Sequence, residues 1–392
     1  MTKRLYYDDS YLTEFDARVL AVENAGGRRA AVLDRTAFYP ASGGQPFDTG
    51  TLGGARVVEV IDRDDGGILH VLEGELSEGP IGGRIDWARR FDHMQQHTGQ
   101  HVLSAAFDRA CGARTESFHL GAATSTIDLG REVTPAEIAR AETEANRIVW
   151  EDRPVTIRFA DAEGAAMLPL RKESGRAGRL RLVDVEGFDL SACGGTHVAR
   201  TGAIGVIAIA GWERFRAGTR IEFGCGGRAL AGYRALRDTM SAAFRLLSVG
   251  PGELPAAIER LQGESRDLKR RIKELQGRLA AHEAEALAAR AASTAAGRLV
   301  IEAVEGWDAN GLKAIAAGIA GRPGHAAVLF TTPAPSALVV ARAADVPLDA
   351  AAVLGQLTAR FGGKGGGRPE LAQGGGLQGT PEEMAAFARS LV

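Results

Sequence analysis

What this chain lacks bounds it first. Of its 392 residues only three are cysteines, Cys111, Cys193 and Cys225. That number is too small and too odd for a disulfide framework and fits a reducing compartment. No stretch approaches the ~18 uncharged apolar residues that a membrane span needs. The start, Met1-Thr2-Lys3-Arg4-Leu5-Tyr6-Tyr7-Asp8-Asp9, has no apolar core for a signal peptide. A cytoplasmic protein without a membrane partner is the expectation. A net charge of -2 argues against a surface coated in basic groups, although a few well-placed Lys and Arg suffice for a local phosphate groove. No internal repeat points to a solenoid. At 45% hydrophobic and 24% charged residues the chain is not disordered, and its length suits two or three domains.

What is present organises into an α+β multidomain chain. Residues 1–88 read as a small β-barrel or sandwich. Short runs such as 30–33, 57–61 and 68–72 are separated by Gly and Asp turns. Near residue 89 the period changes, and Arg89 to Arg109 reads as a helix. A second helix is expected from Thr134-Pro135-Ala136-Glu137, an N-cap, a first-position proline and a capping box in one string. Strand-like runs at 155–159, 180–185, 203–210 and 219–223 complete an α+β domain over 89–228. A helical linker or hairpin is expected over 229–292. It combines a helix at 229–248 with a heptad series of Ile258, Leu261, Leu268, Ile272, Leu275 and Leu279. The heptads fit an antiparallel hairpin and intermolecular coiling equally. Residues 293–392 read as a small α/β domain with a glycine-rich tail, Gly362 to Arg368 and Gln373 to Gly376.

The chemistry concentrates in His97-Thr98-Gly99-Gln100-His101 and Cys193-Gly194-Gly195-Thr196-His197. Residues four apart on a helix share a face, so His97 and His101 can reach one ion. Gly194 and Gly195 favour a loop for the second pair, folded tightly around a metal or substrate. Three imidazoles and one thiolate suit one tetrahedral zinc per chain. A closed structural staple uses the same residues, but staples draw their ligands from a local knuckle. A Cys193–His197 nucleophilic pair without metal leaves His97 and His101 without a task.

At these residues the chain resembles the editing domain of alanyl-tRNA synthetases and the free-standing alanyl-tRNA editing proteins, the AlaX group. The run Phe38-Tyr39-Pro40-Ala41-Ser42-Gly43-Gly44-Gln45-Pro46-Phe47-Asp48-Thr49-Gly50 resembles the glycine-rich signature of that family's barrel. His97-Thr98 with His101, and Cys193 to Val198 followed by Thr201-Gly202 and Ile204-Gly205, resemble its zinc motifs in order and separation. The tail with Gly365 to Gly367 and Gly374 to Gly376 is similar to the C-terminal tRNA-binding domain that the synthetases share with DHH-type phosphoesterases. Where synthetase editing sites carry a Gln-x-Gly-Ser type run, this chain reads Ser117-Phe118-His119-Leu120-Gly121, with Ser125-Thr126-Ile127-Asp128 beyond, like the free-standing class.

The resemblance implies a zinc-dependent hydrolase that removes serine, or glycine, from the tRNA for alanine. Because the barrel starts at residue 1, with no synthetase-type core before it, no aminoacylation is expected. Either zinc-associated water would attack, or zinc would hold the aminoacyl group while a free water attacks, with Ser117 and His119 as candidate catalytic side chains; His119 is equally well a hydrogen-bonded structural histidine. Thr98 and Thr196, with Gly194 and Gly195, are the candidates for reading a seryl side chain. Lys364 and Arg368 among glycines, and Arg171-Lys172 in a second basic stretch, are the candidates for gripping tRNA. A homodimer through the helical or C-terminal region is compatible with the heptads. Two other readings stand beside this one. One is a non-catalytic tRNA-binding protein with structural zinc. The other is a DHH-type phosphoesterase, for which the nearest string is only Asp92-His93-Met94.

Overall fold

The computed structural model describes residues 1–161, 163–164, 167–171, 179–295, 297–332 and 334–392. The chain divides into two compact units, Met1–Ala243 and Phe244–Val392.

The first unit opens with a closed six-stranded barrel. Its strands are Glu14–Ala25, Arg28–Leu33, Gly50–Leu52, Ala55–Asp62, Ile68–Glu73 and Gly79–Ile85. Closure leaves no free sheet edge. In Glu14–Ala25 successive residues alternate, so Phe15, Ala17 and Val19 face inward against Leu33, Leu52, Val57 and Ile85. The long loop between Arg35–Thr36 and Gly50 holds the glycine-rich signature and is pinned from outside the barrel. Asp48 and Arg90 form an ion pair with both side chains fully buried. Arg90 also donates to Ser10 O (2.9 Å), and Asp48 accepts from Tyr39 N (2.6 Å). So many hydrogen bonds are what a buried charge pair requires.

Helix α1, Trp87–Cys111, starts where Asp86 accepts from Arg89 N and stops at Gly112, whose φ is 63°. Helix α2, Pro135–Trp150, carries the expected capping box between Thr134 and Glu137. Both pack on a four-stranded antiparallel sheet ordered Ile207–Phe215, Gly218–Cys225, Ser125–Leu129, Thr115–Leu120. Leu103, Phe107, Ile138, Ile148, Ile221 and Phe223 form the centre of this core. A three-stranded sheet, Val155–Ala160, Leu180–Val185 and Asp189–Ala192, delivers the chain to the second His/Cys segment. Helix α3, Gly227–Leu247, buries none of its residues.

The second unit holds helix α4, Leu254–Ala289, and a six-stranded sheet ordered Ala292–Thr294, Gly297–Val304, His325–Thr331, Ser336–Arg342, Leu371–Leu377, Lys364–Arg368. Gly297–Val304 and His325–Thr331 run parallel, joined by helix α5, Ala309–Ala320, and the other pairs are antiparallel. Helices α6, Ala350–Phe361, and α7, Pro381–Ser390, cover one face through Leu354, Leu357 and Met384. The other face is covered by α5 and the end of α4 through Leu312, Ile315 and Leu287.

The stretch 229–292 is therefore not a unit of its own. The boundary between the two units falls inside α3, and the C-terminal turns of α4 are built into the second core. Earlier in α4 the heptad residues Leu261, Leu268, Ile272, Leu275 and Leu279 are exposed. The glycine-rich tail is a paired hairpin of strands. Among the described residues no helix is long and apolar enough to cross a membrane.

His70 lies fully buried in the barrel. Its Nδ1 donates to Ala31 O (3.1 Å), and its Nε2 meets Thr36 Oγ1 (2.8 Å). Burial pulls its pKa from 6.5 to about 4, and burial followed by the charge of Arg89 does the same to His93. Both groups resist protonation in the fold, so as pH falls the unfolded chain takes up protons first. Stability then declines between pH 6.5 and about 4. Urea unfolding across that range should show the decline, with a shallower slope in His70→Gln; identical slopes would contradict it.

Candidate metal centre

Helix α1 is buried almost all round from His93 to Phe107, so its polar residues must be satisfied by neighbours. Gly99 lets this happen on one side, because a Cβ there would lie 2.2 Å from Cys225 Sγ. On the other side His97 and His101 stand one turn apart with ring centroids 5.3 Å from each other. His197 completes a triangle, 4.4 Å from His97 and 4.8 Å from His101 by centroids.

Cys193 and His197 come from the irregular segment after strand Asp189–Ala192. The turn fits only because residue 195 is glycine, since a Cβ there would meet His97 Cε1 at 2.2 Å. Cys193 Sγ lies 3.4 Å from His97 Nε2 and 3.3 Å from His197 Nε2. All four donor atoms fall within 4.8 Å of one another. A tetrahedron with bonds of about 2.0–2.3 Å has edges of roughly 3.3–3.8 Å; the two Cys193–histidine separations match this, and the full set, spanning up to 4.8 Å, would draw in slightly to close on one zinc-type ion.

Each imidazole is aimed by a partner on its Nδ1. His97 donates to Gln45 Oε1 (2.7 Å), and His101 donates to Asp189 Oδ2 (3.0 Å). His197 Nδ1 lies 3.1 Å from Thr98 Oγ1, which also accepts from Val198 N (3.1 Å). These contacts leave the Nε2 lone pairs for a metal. Asp189 is in turn held by Arg171 Nε (2.6 Å) and Ser191 Oγ (3.0 Å), and Gln45 Oε1 by Thr196 N (3.1 Å).

The electrostatics favour ligation at Cys193 and His197. Burial alone would raise the Cys193 thiol, but the imidazoles of His97 and His197 outweigh it and hold the thiol well below its ordinary value. Burial and then repulsion from His97 push His197 down to about 3. A thiolate and a neutral imidazole are the forms that bind metals. Burial opposes the charge on His101, yet hydrogen bonds to Asp189 and Cys193 lift it to about 9. Burial would raise Asp189, but His101 and Arg171 bring it to about 2.

A cavity of about 490 Å³ opens over the cluster. His97, His101, Cys193, Gly194 and Gly195 share its wall with Tyr6, Tyr7, Tyr39, Gln100, Phe118, Arg171 and Arg181. Not every residue expected at the site reaches it. Thr98 and Thr196 are fully buried outside this wall, their hydroxyls engaged with His197 and with Gln45 Nε2 (2.8 Å). Both hydroxyls face the histidine cluster or its Gln45 support and not the cavity wall. Ser117 and His119 are exposed on the strand Thr115–Leu120, and Ser117 Oγ donates to Asp128 Oδ2 (2.6 Å). Strand side chains alternate, and it is Phe118 between them that faces His97, 5.9 Å away by centroids. Arg171 is tied to Asp189 and Ser191 and is only 16% exposed, so it is not a free phosphate grip. Lys172 lies outside the described residues. Lys364 and Arg368 are exposed on the edge strand of the second unit.

The sequence reading did not single out Asp189 or Gln45 as site residues, and it counted Arg181 only as the end of the second basic stretch that begins at Arg171. Gln45 carried a signal, its place in the glycine-rich run. Asp189 carried none, lying 88 positions from the histidine it orients.

Residues 180–222 match the threonyl and alanyl tRNA synthetase second additional domain, and residues 296–392 match the DHHA1 domain. The alanyl-tRNA editing protein AlaX-L of Pyrococcus horikoshii is 33% identical over 397 residues, which cover 98% of this chain and 96% of that protein. The alanine–tRNA ligase of Methanoregula boonei is 36% identical over 389 residues, covering 96% of this chain and 42% of the ligase. That of Pyrococcus abyssi is 35% identical over 390 residues, covering 95% and 42%. The chain spans about two fifths of the length of these ligases.

Replacing Cys193 and His197 together with Ala should abolish metal retention through dialysis. Asp189→Asn, which keeps the shape and removes the charge behind His101, should weaken zinc binding about 10–100-fold in chelator competition. An affinity equal to that of the parent would contradict the assignment of Asp189.

Proposed function

The chain belongs to the alanyl-tRNA editing proteins, and from that premise we propose that it hydrolyses the ester joining serine, or glycine, to the tRNA for alanine. The observation that carries this reading is a group of four metal-type donors of which three, His97, His101 and Cys193, line the wall of one cavity. A purely structural staple gains nothing from such an opening. The cavity volume of about 490 Å³ is within the range of small-ligand sites and suits an aminoacyl group with part of its ribose.

A zinc ion held by His97, His101, Cys193 and His197 would supply Lewis acidity beside the ester. The protein groups around it have separate tasks. Gln45, Asp189 and Thr98 hold the three imidazoles in position. Phe118 and Tyr39 line the opening with apolar surface that limits water. Selectivity for serine over alanine requires a partner for the added hydroxyl, since apolar sites reject such a near-isostere poorly. Gln100 supplies a candidate, because it lines the cavity and its Oε1 has no other partner.

The tRNA body is gripped elsewhere in this reading. Lys364 and Arg368 sit on an exposed glycine-rich edge strand where phosphates can approach the backbone closely.

Purified holoprotein should deacylate seryl-tRNA for alanine and spare the alanyl ester. Intact seryl ester after long incubation with metal bound would contradict the hydrolase and favour a tRNA-binding protein with structural zinc. Replacing both Lys364 and Arg368 with Ala should lower the slope of log affinity against log salt by about 1.4–1.8. An unchanged slope would remove these residues from the interface.

A further inference from the structure

Six buried side-chain polar atoms among the described residues have no hydrogen-bond partner: Tyr6 Oη, His93 Nδ1, Gln100 Oε1, Ser125 Oγ, Arg181 Nη2 and Ser336 Oγ. Three of their residues, Tyr6, Gln100 and Arg181, line the cavity over the metal donors. Buried polar groups are nearly always paired, and leaving a charged one short costs most. Arg181 is therefore the group that most needs a partner.

Arg181 lies on strand Leu180–Val185 and is only 7% exposed. Three of its donor positions are committed. Nε donates to Tyr7 O (3.0 Å), and Nη1 donates to Cys193 O (2.8 Å) and Gly195 O (2.9 Å). The two carbonyls flank Gly194 in the segment that presents Cys193, so the guanidinium plane is fixed against the metal donors. Its remaining nitrogen, Nη2, belongs to a rigid fork that cannot turn away to find another acceptor. A fixed cation beside a divalent-ion site is matched to negative charge that appears there during a reaction.

We propose that Arg181 Nη2 donates to the carbonyl oxygen of the bound aminoacyl ester and holds its charge in the tetrahedral intermediate. The inference rests on the ester-hydrolase reading above. A water oxygen bonds to the ester carbon, and the π pair moves onto the carbonyl oxygen, which becomes the oxyanion facing Nη2. The intermediate then collapses, breaking the bond to the ribose oxygen. That oxygen leaves with one of the water protons as a hydroxyl; the other proton passes to solvent, and the amino acid departs as its carboxylate.

Holoprotein variants Arg181→Gln and Arg181→Lys separate this role from that of a clamp on the ligand segment. Two adenosine probes are needed, one bearing serine as a stable 3′-amide and one bearing a serine-derived phosphonate in place of the ester. Arg181→Gln should retain its metal and bind the amide within about threefold of the parent, but lose ~100-fold for the phosphonate. Its single-turnover rate should fall by about 10²–10³, and Arg181→Lys should recover part of both losses. Equal losses for the two probes, or none for the phosphonate, would overturn the proposal. Loss of metal from both variants would assign Arg181 to holding the segment and overturn it as well. If the parent itself leaves seryl-tRNA intact, the hydrolase reading falls, while the phosphonate-to-amide comparison still decides the role of Arg181.

Discussion

Three buried imidazoles and a half-buried thiol crowded into a space 4.8 Å across are the constraint around which the first unit is built. Such a group is unfavourable by itself, because each ring brings polar atoms that burial would leave unsatisfied. The fold meets the cost from outside the cluster. An amide, a carboxylate and a hydroxyl take the three Nδ1 positions, and the inner lone pairs are left to converge. Those partners come from separate places in the chain, namely the barrel loop, the strand Asp189–Ala192 and helix α1 itself.

The same constraint explains why the barrel and the helical region belong to one compact unit. Gln45 must reach His97 from a barrel loop, so that loop has to be fixed relative to α1. The fully buried Asp48–Arg90 pair does this, three residues along the loop from Gln45 and seven residues along the helix from His97. A buried ion pair is weak evidence of added stability, but it is a strong device for register, since breaking one side strands the other charge. The glycine-rich signature is thus part of the candidate metal site and not only a feature of the barrel.

Much of this was legible in the sequence because it is encoded locally. Spacing of four on a helix put His97 and His101 on one face, Thr134 to Glu137 announced a helix start, and alternation in the first strands announced the barrel. What was not legible depended on parity and on distance. Reading Ser117 and His119 as site residues required knowing which face of their strand met α1, and Phe118 holds that face. Thr98 adjoins His97 in sequence, yet its hydroxyl turns to His197 and not to the cavity. Arg171 looked like part of a basic run because Asp189, its partner, lies on a strand that pairs only after folding. Residues 229–292 looked like a separate linker because exposed heptads dominate their pattern. The few alanines and leucines at the end of α4 that join the second core carry little weight in such a pattern.

The account stands or falls on the identity of the donors. X-ray absorption at the zinc edge of the full chain, loaded with one equivalent of zinc, tests them most directly. It should show three nitrogens at about 2.0–2.1 Å and one sulfur at about 2.3 Å. A shell without sulfur, or one made of oxygens, would contradict the assignment of His97, His101, Cys193 and His197 as ligands of a single ion.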